Sequence, residues 1–334
     1  GMKLVRYFIV LSALVLSPLA MSQERIKVGA MLPLTGELAS FGEIILESIK
    51  RVDLKGIELV IENDECLPAK TVAAYKKLKD IDKVSYFLGP ICGSPQQALA
   101  PLIKAEPTVA MLLGSGADNL YENSGGKIFS PQYSNEDEAK FNASVLHKLG
   151  AKRVALVFYD DSFCRNHEKA FRAFFPGHVV ESFTYSTFDP SALKPMVAKI
   201  KSLKVDGLYV PDVSPFLLGL RRELLKLGMS DIPVVSISSA QSNDLLKAEG
   251  QAANGIRYSY PVVGEGDAFG HFATEGTKLL YDAIGACGKD TECVRNDLKQ
   301  RSKFNERGIL SGEIETRVIR DGKFVSESQR PTNQ

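Results

Sequence analysis

Apolar and polar residues recur along the chain with two periods, and the elements they predict come as strand–helix pairs. Arg25–Met31 (RIKVGAM) is a short apolar run that predicts a strand opening into the loop LPLTGELASFG. Ile44, Ile45, Ile49 and Val52 then fall at helical spacing, predicting a helix over Glu43–Val52. Strands at Ile57–Glu62, Val84–Leu88 and Thr108–Leu112 follow, alternating with helices at Pro68–Leu78 and Pro95–Ala105. The last of these strands runs into the loop Gly114-Ser115-Gly116. Such alternation predicts a doubly wound, mostly parallel sheet.

A second series begins after FSPQYSNEDE. Helices are predicted at Glu136–Leu149, Glu168–Phe175, Ser191–Leu203 and Pro215–Leu227, with strands at Val154–Tyr159, Val179–Thr184, Gly207–Val210 and Val234–Ile237. Acidic residues in the first turn of Glu136–Leu149 suit its dipole, and Pro195 is tolerable so close to a helix start. Two such series, each with its own core, predict two lobes. A strand at Tyr258–Val262 leads to helices at Phe269–Ala286 and Thr291–Gln300. The chain then ends in strands at Gly312–Ile319 and Phe324-Val325 about an Asp321-Gly322 turn. The helical pair is hard to place as a third domain and reads as a return to the first lobe.

The first residues follow another pattern. Gly1 ahead of Met2 reads as a cloning remnant. Lys3 and Arg6, the apolar run Tyr7–Ala20 and the small residues of Ala20-Met21-Ser22 read as a secretory signal peptide over 1–22. The run is shorter than the roughly 20 residues of a membrane span and contains Pro18. Cleavage after Ser22 removes two basic residues and no acid, lowering the formal charge of +1 by two, to −1. An exported, nearly neutral chain with 41 basic and 40 acidic residues carries no electrostatic footprint for nucleic acid.

Export gives meaning to the five cysteines, because disulfides persist outside the cytosol. Cys66 with Cys92 and Cys287 with Cys293 are the candidate pairs, leaving Cys164 over. No CxxC occurs and the histidines at 147, 167, 178 and 271 are scattered, so no metal site and no cofactor is expected. There is no GxSxG, HExxH, Walker A or GxGxxG signature, and the chain is not expected to be an enzyme. Asp160-Asp161 reads equally as a ligand-facing carboxylate pair or as a helix N-cap region. Cys164 reads as a nucleophile or, with no histidine placed beside it by the sequence, more readily as a buried thiol.

Polar loop ends carry more information. Thr35-Gly36, Gly93-Ser94, Ser115-Gly116, Asp160–Phe163, Asp212–Ser214 and Ser238-Ser239 all follow strands. A doubly wound sheet gathers such positions on one edge, where hydroxyls, amides and the aromatics Phe41 and Phe163 suit a small ligand.

The ordered series resembles the type I periplasmic solute-binding proteins, in particular the leucine/isoleucine/valine-binding receptors of ABC transporters. KVGAMLPLTGELASFG resembles the opening strand and first ligand loop. NDEC and FLGPICGS resemble the next strand ends, with Cys66 and Cys92 at the family's disulfide positions. VALVFYDDSFC, DGLYVPD and VVSISS resemble the second lobe's strand ends, and CGKDTEC with GILSGEI the ending. The resemblance spans Arg25 to Phe324. It implies an α/β fold of two doubly wound lobes joined by several crossovers, closing on ligand as a Venus flytrap. Lobe 1 is expected at 23–131 plus 262–314, lobe 2 at 132–261 plus 315–328, and a tail at 329–334.

It further implies a periplasmic, monomeric receptor that carries a small solute to an inner-membrane ABC permease. Phe41, Gly93, Ser94, Ser115, Gly116, Phe163, Asp212, Val213 and Ser238 are the implied ligand-facing positions. At three of them the chain departs from the amino-acid clamp. Gly93 and Gly116 stand where a serine and a threonine hold the carboxylate, and Ser238 where an acid holds the ammonium. Ser94 and Ser115 lie one residue off, Phe41 and Phe163 lack a tyrosine hydroxyl, and Val213 replaces a tyrosine. Asp160 or Asp212 is left to supply an acid, so a small polar or amide-like solute is expected at least as readily as a branched-chain amino acid. A secreted α/β enzyme and a soluble sensory receptor are the alternatives.

Overall fold

The structure, a computed structural model, describes residues 24–327 apart from 54, 188, 213–215, 244–245, 247–250, 264–266, 303 and 311. The expected signal peptide, the tail and Val213 lie outside the described residues.

The first sheet is parallel throughout and has the order β2–β1–β3–β4–β5. Its strands are β1 (Ile26–Leu32), β2 (Ile57–Asn63), β3 (Tyr86–Leu88), β4 (Val109–Met111) and β5 (Ile128–Phe129). Successive side chains of a strand point to opposite faces, and here both faces are covered. Val28, Ala30 and Leu32 of β1 pack toward Ile45 and Ile49 of α1 (Ala39–Arg51) and Leu280 and Ile284 of α9 (Ala268–Cys287). Val294 and Leu298 of α10 (Thr291–Gln300) join the same core. Met31 faces the other way, toward Tyr75 and Leu78 of α2 (Pro68–Asp80) and Leu99 and Ile103 of α3 (Gly93–Ala105). The late helical pair thus covers a sheet laid down two hundred residues earlier. Each fully buried side chain of this size contributes roughly 1.5–3 kcal/mol.

The second sheet has the order β12–β11–β10–β9–β8–β6–β7. Its parallel part comprises β6 (Arg153–Tyr159), β7 (His178–Tyr185), β8 (Gly207–Val210), β9 (Val234–Ser236) and β10 (Arg257–Pro261). An antiparallel edge, β11 (Ile314–Arg320) and β12 (Lys323–Ser326), turns through Asp321-Gly322. Ala155, Val157, Leu208 and Val210 pack on α7 (Leu193–Ser202) and α8 (Phe216–Lys226). Val154, Leu156, Phe158 and Tyr209 pack on α5 (Asn135–Lys148) and α6 (Ser162–Phe174). A short helix, α4 (Leu120–Asn123), precedes β5.

Several helix starts differ from the sequence expectation, and two of them bear on the site. α3 begins at Gly93 instead of Pro95, because Cys92 is its N-cap and Pro95 sits third, still within the first turn. α6 begins at Ser162 instead of Glu168, because the Asp161 carboxylate accepts the Cys164 N–H at 2.8 Å and closes the cap there. α1 begins at Ala39 instead of Glu43. α4 and β5 are too short for a periodic signal. Disulfides join Cys66 to Cys92 and Cys287 to Cys293, each with Cα atoms 5.5 Å apart. The first ties the turn after β2 to the N-terminus of α3.

Candidate functional site

The strand ends of both sheets meet over the N-termini of α3 and α6. Ser94 Oγ lies 2.6 Å from Ser162 Oγ, so hydroxyls from the two halves share a hydrogen bond. A Cβ on Gly93 would stand 3.9 Å from the Cβ atoms of Ala117 and of Phe163. That is ordinary van der Waals contact, so the first turn of α3 lies directly against Phe163. The first turn of a helix leaves its amides without intrahelical partners. In α3 these belong to Gly93 and Ser94, Pro95 having no N–H, and Cys92 offers no side-chain cap.

The Ser115-Gly116 loop is held beside this turn by Gln96, a buried residue to which the sequence drew no attention. Its amide nitrogen donates to the carbonyls of Pro90 and Ile91, at 3.1 and 3.0 Å, and reaches that of Ser115 at 3.4 Å. Its oxygen accepts the Ala117 N–H at 2.9 Å. One side chain thus fixes two strand-end loops. Gly116 points inward, where a Cβ would come within 2.9 Å of Leu112 Cδ1, so a threonine there would need repacking. Thr35 is tied by the Asn63 amide at 2.7 Å, and Phe41 packs on Phe269 of α9 with ring centroids 5.1 Å apart.

On the second half, none of the acids left by the sequence stands free at the cleft. Asp160 forms an ion pair with Arg165 at 2.8 Å, and Asp161 is spent on the α6 cap. Asp212 is buried and accepts the Tyr159 N–H at 3.1 Å. Cys164 is buried too, its thiol donating to the Pro211 carbonyl, and burial pushes its pKa well above the usual thiol range. A thiol held protonated in this way is a poor nucleophile.

The acid nearest Ser238 comes from an unexpected element. Glu138, in the first turn of α5, accepts the Ser238 N–H at 3.1 Å and the Ser259 hydroxyl at 2.7 Å. Burial pushes its carboxyl up to about 7, against the lowering effect of those two donors. His167 lies behind Phe163, ring centroids 4.9 Å apart, and burial drives its imidazole down to about 3, leaving it neutral. No signal in the sequence joins Glu138 to Ser238, 100 residues away. Beside the crossovers, a separate cavity of about 560 Å³ is lined by residues including Leu112, Asp118, Leu120 and Arg307. Of the expected ligand positions it includes Gly116 alone. Among the described residues no cluster of His, Cys, Asp and Glu is arranged to hold a metal ion.

Compared with known proteins, residues 25–268 match the family model described as periplasmic binding protein. The chain belongs to the periplasmic binding protein family. The leucine-, isoleucine-, valine-, threonine- and alanine-binding protein of Pseudomonas aeruginosa is 23% identical over 315 residues, covering 86% of this chain and 78% of that one. Among solved structures, a leucine-binding protein of Thermotoga maritima superposes with a TM-score of 0.80 at 18% identity, covering 90% of this chain and 97% of that one. An ABC-transporter solute-binding protein of R. palustris, in complex with 4-hydroxybenzoate, gives 0.77 at 21%, covering 91% and 96%. The fold of this periplasmic binding protein is accordingly that of type I, with two α/β lobes crossed several times by the chain.

Proposed function

We propose that the chain is the periplasmic receptor of an ABC importer, capturing one small polar solute between its lobes and delivering it to a membrane permease. Lobe 1 comprises 23–131 and 262–314, and lobe 2 comprises 132–261 and 315–328. Closure about the crossovers follows from contacts the solute makes with both lobes, since only differential contact shifts an open–closed equilibrium.

The observation that carries this reading is the meeting of α3 and α6 over Gly93, Ser94, Ser162 and Phe163, with Asp160, Asp161 and Asp212 each already engaged by Arg165 or a backbone amide. The uncapped first turn of α3 favours negative or carbonyl oxygen. Ser94 and Ser115 add hydroxyls at the same edge, and Phe163 adds an apolar wall. An ammonium buried here would lack a paired anion, an expensive arrangement. The ligand is therefore a carboxylate or amide without an α-ammonium. Named ligands of the relatives range from aliphatic amino acids to 4-hydroxybenzoate, so the scaffold accommodates both classes.

Calorimetry with matched sets tests the class: a carboxylic acid, its amide and its α-amino acid, for one aliphatic and one aromatic skeleton. Heat of binding is expected from the acid or the amide. Tight binding of the amino acids alone would overturn the assignment.

A further inference from the structure

Glu138 and His167 form a buried cluster under the second lobe's wall that solute capture, as described, leaves unused. Glu138 Oε1 takes both hydrogen bonds, from the Ser238 N–H and the Ser259 hydroxyl. Its other oxygen, Oε2, faces His167 Nε2 at 3.9 Å, and that buried nitrogen makes no hydrogen bond. The second ring nitrogen, Nδ1, lies 2.8 Å from the Tyr209 hydroxyl. Asn142 donates to Ser259 Oγ at 2.9 Å and the Ser236 carbonyl at 3.3 Å. One carboxyl therefore links α5 to the turn after β9 and to β10, and faces α6, which carries Ser162 and Phe163 to the cleft.

We propose that Glu138 is a positioning residue for the cleft, holding Ser238 through its backbone N–H, and that the His167 ring changes tautomer to follow the proton on Glu138 Oε2. The inference rests on reading Ser238 as part of the cleft wall.

Two arrangements suit the electrostatics of this 3.9 Å separation, which is too long for a hydrogen bond. With Glu138 protonated, its Oε2–H points at a bare Nε2, and the Nδ1–H donates to the Tyr209 oxygen. When Glu138 ionises, that proton leaves to solvent. A bare Nε2 would then oppose an anionic oxygen, so the ring's hydrogen moves to Nε2 and the Tyr209 O–H turns to donate to Nδ1. The ring is neutral in both, in keeping with its burial. The ionised carboxylate also strengthens its bond from Ser238, since charge-assisted hydrogen bonds are the shorter and stronger ones.

Among the described residues the titratable groups around the pair include Tyr133 from the crossover, Tyr209 from β8, Tyr260 from β10 and Cys164 from α6. Burial pushes each of them upward, away from neutrality. Among the described residues no lysine or arginine pairs with Glu138. Asp212, beside Cys164, is engaged by the Tyr159 N–H, and the exchange near neutral pH is assigned to Glu138.

The test is a nitrogen-15 NMR titration of the ligand-free mature protein between about pH 5 and about pH 9. The Ser238 amide proton is expected to move downfield with a midpoint near 7, while the two His167 nitrogens exchange their protonated and unprotonated shifts. In Glu138→Gln the carbonyl still accepts from Ser238 and the amide N–H faces Nε2. There the Ser238 signal is expected to stay flat and His167 to remain the Nδ1–H tautomer. Unchanged Ser238 and His167 signals in the wild type would overturn the proposal, as would an equal titration of Ser238 in Glu138→Gln. The wild-type titration decides it even where the variant fails to fold. Because no ligand is present, a failed ligand screen leaves this test intact, and a flat titration leaves solute capture untouched.

Discussion

Glu138 and His167 pull stability in opposite directions as pH changes. The folded carboxyl sits above its ordinary 4.5, so its contribution is full below 4.5 and is lost as pH rises through about 7. The folded imidazole sits below its ordinary 6.5, so its contribution is full above 6.5 and is lost as pH falls toward about 3. Between 4.5 and 6.5 the two slopes cancel. Glu138→Gln is expected to unmask His167, so that melting temperature falls as pH drops through this window. His167→Gln should show the reverse, melting lower as pH rises. Each slope approaches a kcal/mol or so per pH unit, a size that melts across buffers resolve. Parallel profiles for the wild type and both variants would contradict the assignment. Little of this pair was legible in the sequence. Asp160, Asp161 and Asp212 drew attention because they follow strands, and all three turned out to be spoken for by Arg165 or by backbone amides. Glu138 lies in a plain acidic helix start, and only the packing of α5 against β9 and β10 brings it to Ser238.

The order of strands and helices was readable, because central strands such as β6 and β8 are buried on both faces and run apolar, while the half-exposed edge strands β2 and β7 keep enough apolar residues between helical stretches. Helix starts were less so. The beginnings of α3 and α6 depend on caps, and Cys92 and Asp161 are weak signals beside the more familiar Pro95 and Glu168. The difference matters, since it turns Gly93, Ser94, Ser162 and Phe163 from loop residues into the facing first turns of two helices. Two changes probe this arrangement. Reducing the Cys66–Cys92 bridge, whose cysteines are 26 apart in sequence, is expected to cost about 3.5 kcal/mol through loop-closure entropy, read as a lower denaturant midpoint. An unchanged midpoint with both thiols shown to be free would count against it. Gln96→Leu strands the Ala117 N–H and leaves three carbonyls without this donor, so a loss of about 2 kcal/mol is expected by the same method. A loss well under one would mean that the two loops hold themselves.

At the scale of the molecule, the late return of α9 and α10 to the first sheet was foreseen from the difficulty of placing them elsewhere. Their packing against Ile45, Ile49 and β1 supplies the physical reason. How near the two halves lie was not foreseeable, because it rests on contacts between residues such as Ser94 and Ser162, 68 apart in sequence. Those hydroxyls are near enough that Ser94→Cys with Ser162→Cys is expected to form an oxidisable cross-link that holds the cleft shut and abolishes solute exchange. Free thiols after mild oxidation would show that the lobes do not spend time this close. Solute capture itself is tested most directly by a thermal-shift screen of the protein, unfolded and refolded to strip any bound solute, against carboxylates, amides and amino acids. A ligand at a hundredfold excess over its dissociation constant adds about 2.7 kcal/mol. A clear rise in melting temperature with carboxylates or amides is the expected result, and a stripped protein unmoved by every class would contradict the reading of this cleft as a solute receptor.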